Sequence, residues 1–312
     1  MRKPTISICI PAYRQAHLLR RCLESIRSQR FRDMEVIITD DSPDDAVRML
    51  VETFAADFPL VYSKNEPALG SPKNWNAGLA KASGRYIKTL HQDDWLRSPD
   101  ALSLCVTALD ENPGASFVFS ACYDVRPDGT EILHEPSAAQ LQRLHQEPEC
   151  LLLGNFIGAP STVTFRKDTG LLYDPHMKWV VDYDFYIRLC YKGQALYIGE
   201  PLLNIGIHED QVTAAVQHDR EVVIPEHIRL LHKLNGPIFR NIRYFDHSWR
   251  LLRNFNIRSV SDLQKVAGNL SLPPVLCIMS DFLGLLPASW VKKGMVSKSL
   301  MTLAYLRSLL SF

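Results

Sequence analysis

Three acidic clusters carry the residue types that could do chemistry: Asp40-Asp41 in TDDSPDD, Asp93-Asp94 in TLHQDDWL, and Asp182 with Asp184 in WVVDYDFYIRL. Adjacent carboxylates are hard oxygen donors, suited to Mg2+ or Mn2+ and, through the ion, to phosphate oxygens. The same residues also cap helices and open turns, which is the competing reading of each pair. His91 lies two positions before Asp93, and His208 follows far downstream in NIGIHEDQVT. Imidazole is a further partner for a metal or a phosphate, and also a common structural side chain. Asp184 stands four residues before Arg188, the spacing of an intrahelical ion pair, and cannot share a helix face with Asp182.

These groups need elements to position them. Residues 6–10 form a short apolar run halted by Pro11, as a buried parallel strand would be. Leu18, Leu19, Cys22, Leu23 and Ile26 recur at helical spacing and predict a helix over 16–29. A strand over 35–39 ends at the first acidic pair; a helix over 46–56 and a strand over 60–63 follow. The polar loop NEPALGSP (65–72) leads to a helix over 73–82, and a strand over 85–90 delivers the chain to HQDD. Such alternation predicts an α/β sheet, mainly parallel, with ligand groups at the C-terminal strand ends. Asp40-Asp41 and Asp93-Asp94 then open on one edge. Beyond a helix near 101–111, strands are expected at 116–120, 161–165 and 195–198, with a hairpin around Asp128-Gly129 and a helix holding 182–191. From about 221 onward the pattern is helical.

Composition bounds the function. A hydrophobic fraction of 46%, a charged fraction of 22% and a net charge of +1 describe an ordinary globular chain with no field for nucleic acid. Seven cysteines without a CxxC pair suit a reducing compartment and buried thiols. MRKPTISICIPAY reads as a first strand rather than a leader. No run of about 18 apolar residues marks a spanning helix. The C-terminal third is basic: 285–312 holds Lys292, Lys293, Lys298 and Arg307 and no acid. With Trp290, Val291, Met295, Leu300, Leu303, Leu306 and Leu310 it reads as an amphipathic helix. One expectation is a peripheral membrane contact through 275–312; the other is packing on its own domain or in a homo-oligomer.

Several segments together resemble the family-2 glycosyltransferases of the GT-A fold: SICIPAYRQAHLLRRCLESIRSQ, then EVIITDDSPDD, then KNWNAGLAKASGRYIKTLHQDDWL. The resemblance covers roughly residues 5–210 and implies a Rossmann-like sheet flanked by helices, with the helical C-terminal region appended. It implies a catalytic domain over 1–220, its donor and metal half about 1–120 and its acceptor half about 121–220. Pro11, Ala12 and Tyr13 match the loop around the nucleotide base. Asp41, with Asp40 beside it, matches the acid that reads the base through a ring N–H, and a carboxylate suits that task because it only accepts. Lys73 and Asn74 match a diphosphate-side position, Asp93 and Asp94 the metal acids, and His208 a late histidine near metal or diphosphate. Asp182 matches the catalytic base. Three departures accompany these matches: His91 stands where a first Asp is usual, Val181 replaces a Glu, and Gly206 replaces an Arg.

The expected activity is inverting, metal-dependent transfer of a sugar from a UDP- or dTDP-sugar to a hydroxyl of a glycan or lipid-linked acceptor. It would use Mg2+ or Mn2+, in cell-surface polysaccharide synthesis at the inner face of the cytoplasmic membrane. His91 and Val181 keep open a non-catalytic nucleotide-sugar-binding protein. A sugar nucleotidyltransferase is disfavoured because IPAYRQAH lacks a glycine-rich loop.

Overall fold

The computed structural model describes residues 3–208, 216–234 and 237–310. Four parallel strands form the first half of a sheet: β1 (Ile6–Ala12), β2 (Met34–Asp40), β3 (Leu60–Lys64) and β4 (Tyr86–Thr89). β5 (Trp95–Leu96), β6 (Ala115–Val125), β7 (Glu131–His134), β8 (Val163–Arg166) and β9 (Gln194–Gly206) complete it in the order β3-β2-β1-β4-β8-β6-β9-β5, with β7 on β6. β8 runs antiparallel to β4 and to β6, and β9 runs parallel to β6. The sheet is therefore mixed, parallel where the acidic pairs emerge. The strand expected at 195–198 extends through Gly206, and this length brings its end to the Asp93-Asp94 segment.

The central strands β1, β2 and β4 and most of β6 are buried on both faces, where helices cover the sheet. Along α1 (Ala16–Arg27), Leu19, Cys22, Leu23 and Ile26 all face the core, the stripe that the spacing predicted. Each such side chain contributes about 1.5–3 kcal/mol by leaving water. Truncating one, for example Leu23→Ala, would cost about 2–5 kcal/mol. α2 (Ala46–Glu52), α3 (Lys73–Lys81) and α4 (Ala101–Glu111) fill the crossovers, and α5 (Ala138–Gln146) and α6 (Val181–Cys190) follow. α3 packs on β1 and β2, with Gly78 facing Cys9 and Thr39; a Cβ there would sit 3.4 Å from Cys9 Cβ, at ordinary contact distance.

One register detail opens the site. β1 pairs with β2 through Ala12, opposite Asp40, yet pairs with β4 only as far as Cys9, opposite Thr89. Past Cys9 the two strands diverge, and Pro11 brings no N–H to the gap. The crevice is the sort that α/β sheets use for ligands.

By Cα packing the chain forms two compact units, residues 1–175 with 181–211 and residues 176–180 with 212–312. In the second, α7 (Arg220–Lys233), α8 (Ile242–Asn254), α9 (Val260–Ala267), α10 (Pro274–Gly284), α11 (Ala288–Val291) and α12 (Gly294–Leu309) surround a core that includes Trp249, whose Nε1 donates to Ser297 Oγ at 3.1 Å. Glu226 accepts the N–H groups of Lys178, Trp179 and Val180 at 2.7–3.1 Å. The tail read as one amphipathic helix is two helices, and its apolar residues divide: Val291 and Leu300 are buried, while Trp290, Met295, Leu303, Leu306 and Leu310 are exposed. Among the described residues no helix is long and apolar enough to cross a membrane. All seven cysteines are free thiols.

Candidate active site

Asp93 and Asp94 leave β4 in a tight turn closed by Asp94 N–H donating to the His91 carbonyl at 3.1 Å. His91, Asp93 and Asp94 each offer a ligand atom, all within 4.8 Å of one another. A hard cation with ligands at about 2.0–2.6 Å leaves its donors up to about 5 Å apart, so the spacing fits Mg2+ or Mn2+. The His91 Nε2 is buried with no hydrogen-bond partner among the described residues, an orphaned ligand atom that a cation would satisfy. Burial pushes its imidazole down, toward the neutral form that binds metal. Burial, and then the Asp93 charge, push Asp94 well above the usual carboxylate range. A cation between the two acids would reverse that tendency.

The cluster is held from several directions. Asp94 Oδ1 accepts the Gly206 N–H at 3.1 Å, and Asp93 Oδ2 lies 2.8 Å from His208 Nε2. Ser161 Oγ accepts the His91 N–H at 2.9 Å and hydrogen-bonds the Asp94 carboxyl. Beneath it Lys88, fully buried, donates to the Ser161 carbonyl. Burial draws this ammonium's pKa down, while Asp94 is among the charges that raise it. Arg21 donates to the Asp93 carbonyl at 3.1 Å, and its guanidinium lies 3.4 Å from the Trp95 ring centre. Trp95 thus stacks on a cation. Gly206, which stands where the resemblance has an Arg, has no room for any side chain: a Cβ would meet the Asp93 carbonyl oxygen at 2.5 Å.

The loop after β1 lies alongside. Gln92 hydrogen-bonds the Tyr13 N–H and carbonyl, and Ser42 Oγ accepts the Arg14 N–H at 2.7 Å. These bonds hold Arg14 and Gln15 in left-handed conformations, at φ 55° and 45°, which cost non-glycine residues about 1–3 kcal/mol each. The Tyr13 ring is exposed beside the Arg14 guanidinium, 5.1 Å from its centre. Pro11 is half-buried and Ala12 buried; the Ala12 carbonyl accepts from Asp41 N–H at 2.9 Å and from Asn74 Nδ2 at 3.3 Å.

The first acidic pair serves two tasks. Asp40 is wholly buried, taking Tyr62 O–H at 2.7 Å and Ser42 N–H at 2.8 Å. Its surroundings make it the anchor of the turn. Asp41 accepts from Asn65 Nδ2 and from the N–H groups of Leu69 and Gly70, at 2.7–3.0 Å. A carboxylate has about four acceptor positions, so a base N–H would take the remaining one or replace a loop donor. Asn74 Oδ1 accepts from the same Asn65 amide at 2.9 Å, whereas Lys73, at the start of α3, is exposed.

Asp182 sits in the first turn of α6. Its Oδ2 accepts from Asn155 Nδ2 at 2.7 Å and its Oδ1 from the Tyr183 N–H at 3.0 Å. Asn155 Oδ1 in turn accepts the N–H groups of Ile157 and Gly158, at 3.0 and 3.1 Å. Asp184 pairs with Arg188 at 2.6 Å, as its spacing allows. A file of rings links α6 to the cluster: His91 to Trp75 at 4.7 Å, Trp75 to Tyr173 at 5.0 Å and Tyr173 to Phe185 at 4.1 Å. Sequence reasoning missed Gln92, Asn65, Ser161 and Asn155. Amides and hydroxyls carry no readable signal until the fold sets them against a carboxylate or a peptide.

A mixed sheet whose parallel strands present an acidic cluster and a clamped loop at one edge belongs to the α/β class that places its ligand site at the C-terminal strand ends. The chain belongs to glycosyl transferase family 2, whose model matches residues 7–167, just over half of the 312. It is 26% identical over 212 residues to a hyaluronan synthase of Pasteurella multocida, covering 68% of this chain and 21% of that one. It is 32% identical over 121 residues to a GalNAc(5)-diNAcBac-PP-undecaprenol beta-1,3-glucosyltransferase of Campylobacter jejuni, covering 38% of each. The chain thus spans about a fifth of the length of the hyaluronan synthase it matches. Its fold is similar to S. aureus TarS 1-349 in complex with UDP-GlcNAc (TM-score 0.59, 16% identity, 89% of this chain and 80% of that one). It is likewise similar to the mannosyltransferase PcManGT from Pyrobaculum calidifontis in complex with GDP-Man and Mn2+ (TM-score 0.58, 16% identity, 99% and 88%). The fold is the GT-A type.

Proposed function

We propose that the protein transfers a sugar, with inversion, from a nucleotide-diphosphate donor to a hydroxyl of a glycan or lipid-linked acceptor in cell-surface polysaccharide synthesis. The observation that carries this reading is the His91, Asp93 and Asp94 cluster at the sheet edge, beside the clamped Tyr13 loop and Asp41. Mg2+ or Mn2+ held by Asp93, Asp94 and His91, with His208 orienting Asp93, would offset charge on the donor diphosphate. His208 acts in this reading through its 2.8 Å contact with Asp93 rather than as a direct ligand.

The rest is work for the chain's own residues. Pro11, Ala12 and Tyr13 frame the base, and Asp41 accepts its ring N–H, which favours a UDP- or dTDP-sugar. Asn74 braces that loop and Lys73 offers a cation to the phosphates. Asp182 takes the proton of the acceptor hydroxyl as that oxygen bonds to the anomeric carbon. The bond from that carbon to the diphosphate oxygen breaks on the opposite face, and the nucleoside diphosphate leaves with the electron pair. The UDP-GlcNAc complex of TarS and the undecaprenol-linked substrate in the Campylobacter relative's name support the donor and acceptor classes. Residues 1–220 would form the catalytic domain, at the inner face of the cytoplasmic membrane.

The test is incubation with Mn2+, Mg2+ or a chelator and a panel of nucleotide sugars, following nucleoside diphosphate release. Release that depends on donor and metal supports the proposal. Nucleotide binding without release from any donor, with or without acceptor glycans, would favour the non-catalytic reading that His91 and Val181 keep open.

A further inference from the structure

We propose that the outward face of α12 is a docking surface for an anionic lipid bilayer. The helix carries two apolar faces. One, made of Ser297, Leu300, Met301, Ala304 and Ser308, is buried in its own unit. The opposite one presents Met295, Leu303, Leu306 and Leu310, spaced by 8, 3 and 4 residues and therefore on one stripe. These side chains are 54–87% exposed, where a water-facing helix would place polar groups.

The charges around this stripe say what covers it. At 3.6 residues per turn, Lys298 and Arg307 fall about a quarter turn to either side of the stripe's centre. Both are exposed, and their long stems let the charges reach outward while the leucines sink. Lys292 and Lys293 extend the cationic border at the helix start, with Lys293 Nζ 5.5 Å from the exposed Trp290 ring. From Phe282 to the last residue the chain has no Asp or Glu. An apolar stripe edged by cations on both sides, ending in a Trp–Lys pair, is complementary to acyl chains below anionic headgroups. A second copy fits less well, since a two-fold contact would set these cations against their own equivalents with no acid in the segment to answer them. The surface does not depend on the proposed transfer reaction, and binding is read without turnover.

The experiment uses the full chain in flotation with vesicles of phosphatidylcholine alone or mixed with phosphatidylglycerol. Wild type should bind the mixed vesicles at least about tenfold better, with binding weakened by salt. Leu303→Gln with Leu306→Gln should reduce binding to the mixed vesicles about tenfold or more, with an unchanged thermal melt because both side chains face outward. Lys298→Gln with Arg307→Gln should erase most of the preference for phosphatidylglycerol. Absence of binding to the mixed vesicles, or equal binding by the leucine variant, would overturn the proposal. A concentration-dependent dimer broken by the leucine variant, without vesicle binding, would assign the face to a second copy instead.

Discussion

Gln92 grips the backbone of Tyr13 through both of its polar groups: its Oε1 accepts the Tyr13 N–H at 2.9 Å and its Nε2 donates to the Tyr13 carbonyl at 2.9 Å. The residue before the acidic pair thereby sets the loop after β1. Gln92→Ala removes both of these bonds from a partly exposed backbone, at a net cost of about 0.5–1.5 kcal/mol each. The strained Arg14 and Gln15 conformations would then relax. Calorimetric titration with UDP should show affinity down about tenfold, and unaltered affinity would separate the loop from base binding.

Removal of the cluster should separate chemistry from folding. Asp93→Ala or Asp94→Ala should abolish metal-dependent turnover with the fold intact, and His91→Ala should weaken Mn2+ binding measured directly. Asp94 adds a pH signature in the metal-free protein. Its carboxyl is raised in the folded state, so the stability it contributes is present below the unfolded pKa and is lost as pH rises toward the folded value. Asp94→Asn should flatten that decline in melting temperature, and Mn2+ should flatten it for wild type. Parallel pH profiles for metal-free wild type and variant would count against this assignment.

Gly206 tests the tightness of the cluster without touching a charge. A Cβ would lie 2.5 Å from the Asp93 carbonyl oxygen, and that atom is backbone, so the segment must move. Gly206→Ala should cost about 1–3 kcal/mol from overpacking and weaken Mn2+ binding by about tenfold or more. A variant with wild-type metal affinity would show that the Asp93 position tolerates displacement.

Asp182→Asn should reduce kcat by about a hundredfold or more while nucleotide affinity stays near wild type, as expected for loss of a general base. Asn155→Ala should act through Asp182, because the 2.7 Å bond from its amide is one of the contacts orienting that carboxylate. A lower kcat and a shifted acidic limb of the pH–rate profile, with unchanged donor KM, would mark positioning. A collapse of donor affinity in Asp182→Asn would argue against the base.

The helical unit has an acid-sensitive pair. His227 is buried with Nε2 2.9 Å from Ser248 Oγ, and its ring lies 5.9 Å from that of His247. Burial pushes the two imidazoles down to about 3 and about 4. Both fold neutral, so their stability is present above the unfolded value near 6.5 and lost as pH falls through the folded values. The effect is on the order of a few kcal/mol. Melts between neutral pH and pH about 4 should therefore show a decline, and His227→Gln should reduce it.

Much of this site was readable in advance because its parts are local. The strand–helix alternation depends on near-neighbour periodicity, and the short strand-like runs before Pro11, Asp40 and His91 mark strand ends directly. The Asp184–Arg188 pair needed only helical spacing. Asp40 and Asp41 were legible as a pair but not as two roles, since the partners that distinguish them, Tyr62 and Asn65, come from β3 and the loop after it. The C-terminal tail showed its charges and leucines in sequence, yet its buried side could not be read. Leu300 and Leu303 differ only in which side of α12 is buried, Leu300 inward and Leu303 outward.

The sequence by itself therefore determined the class of sheet, the order of its acidic strand ends and the basic, acid-free tail. Tertiary structure decided which groups meet. Gln92 reaches Tyr13 across 79 residues, and Gly206 reaches Asp94 across 112. Both contacts follow from where β1 parts from β4 and how far β9 runs. Those distances are set by how strands far apart in the chain pair and by the space between their backbones, which the residues of one segment do not fix alone.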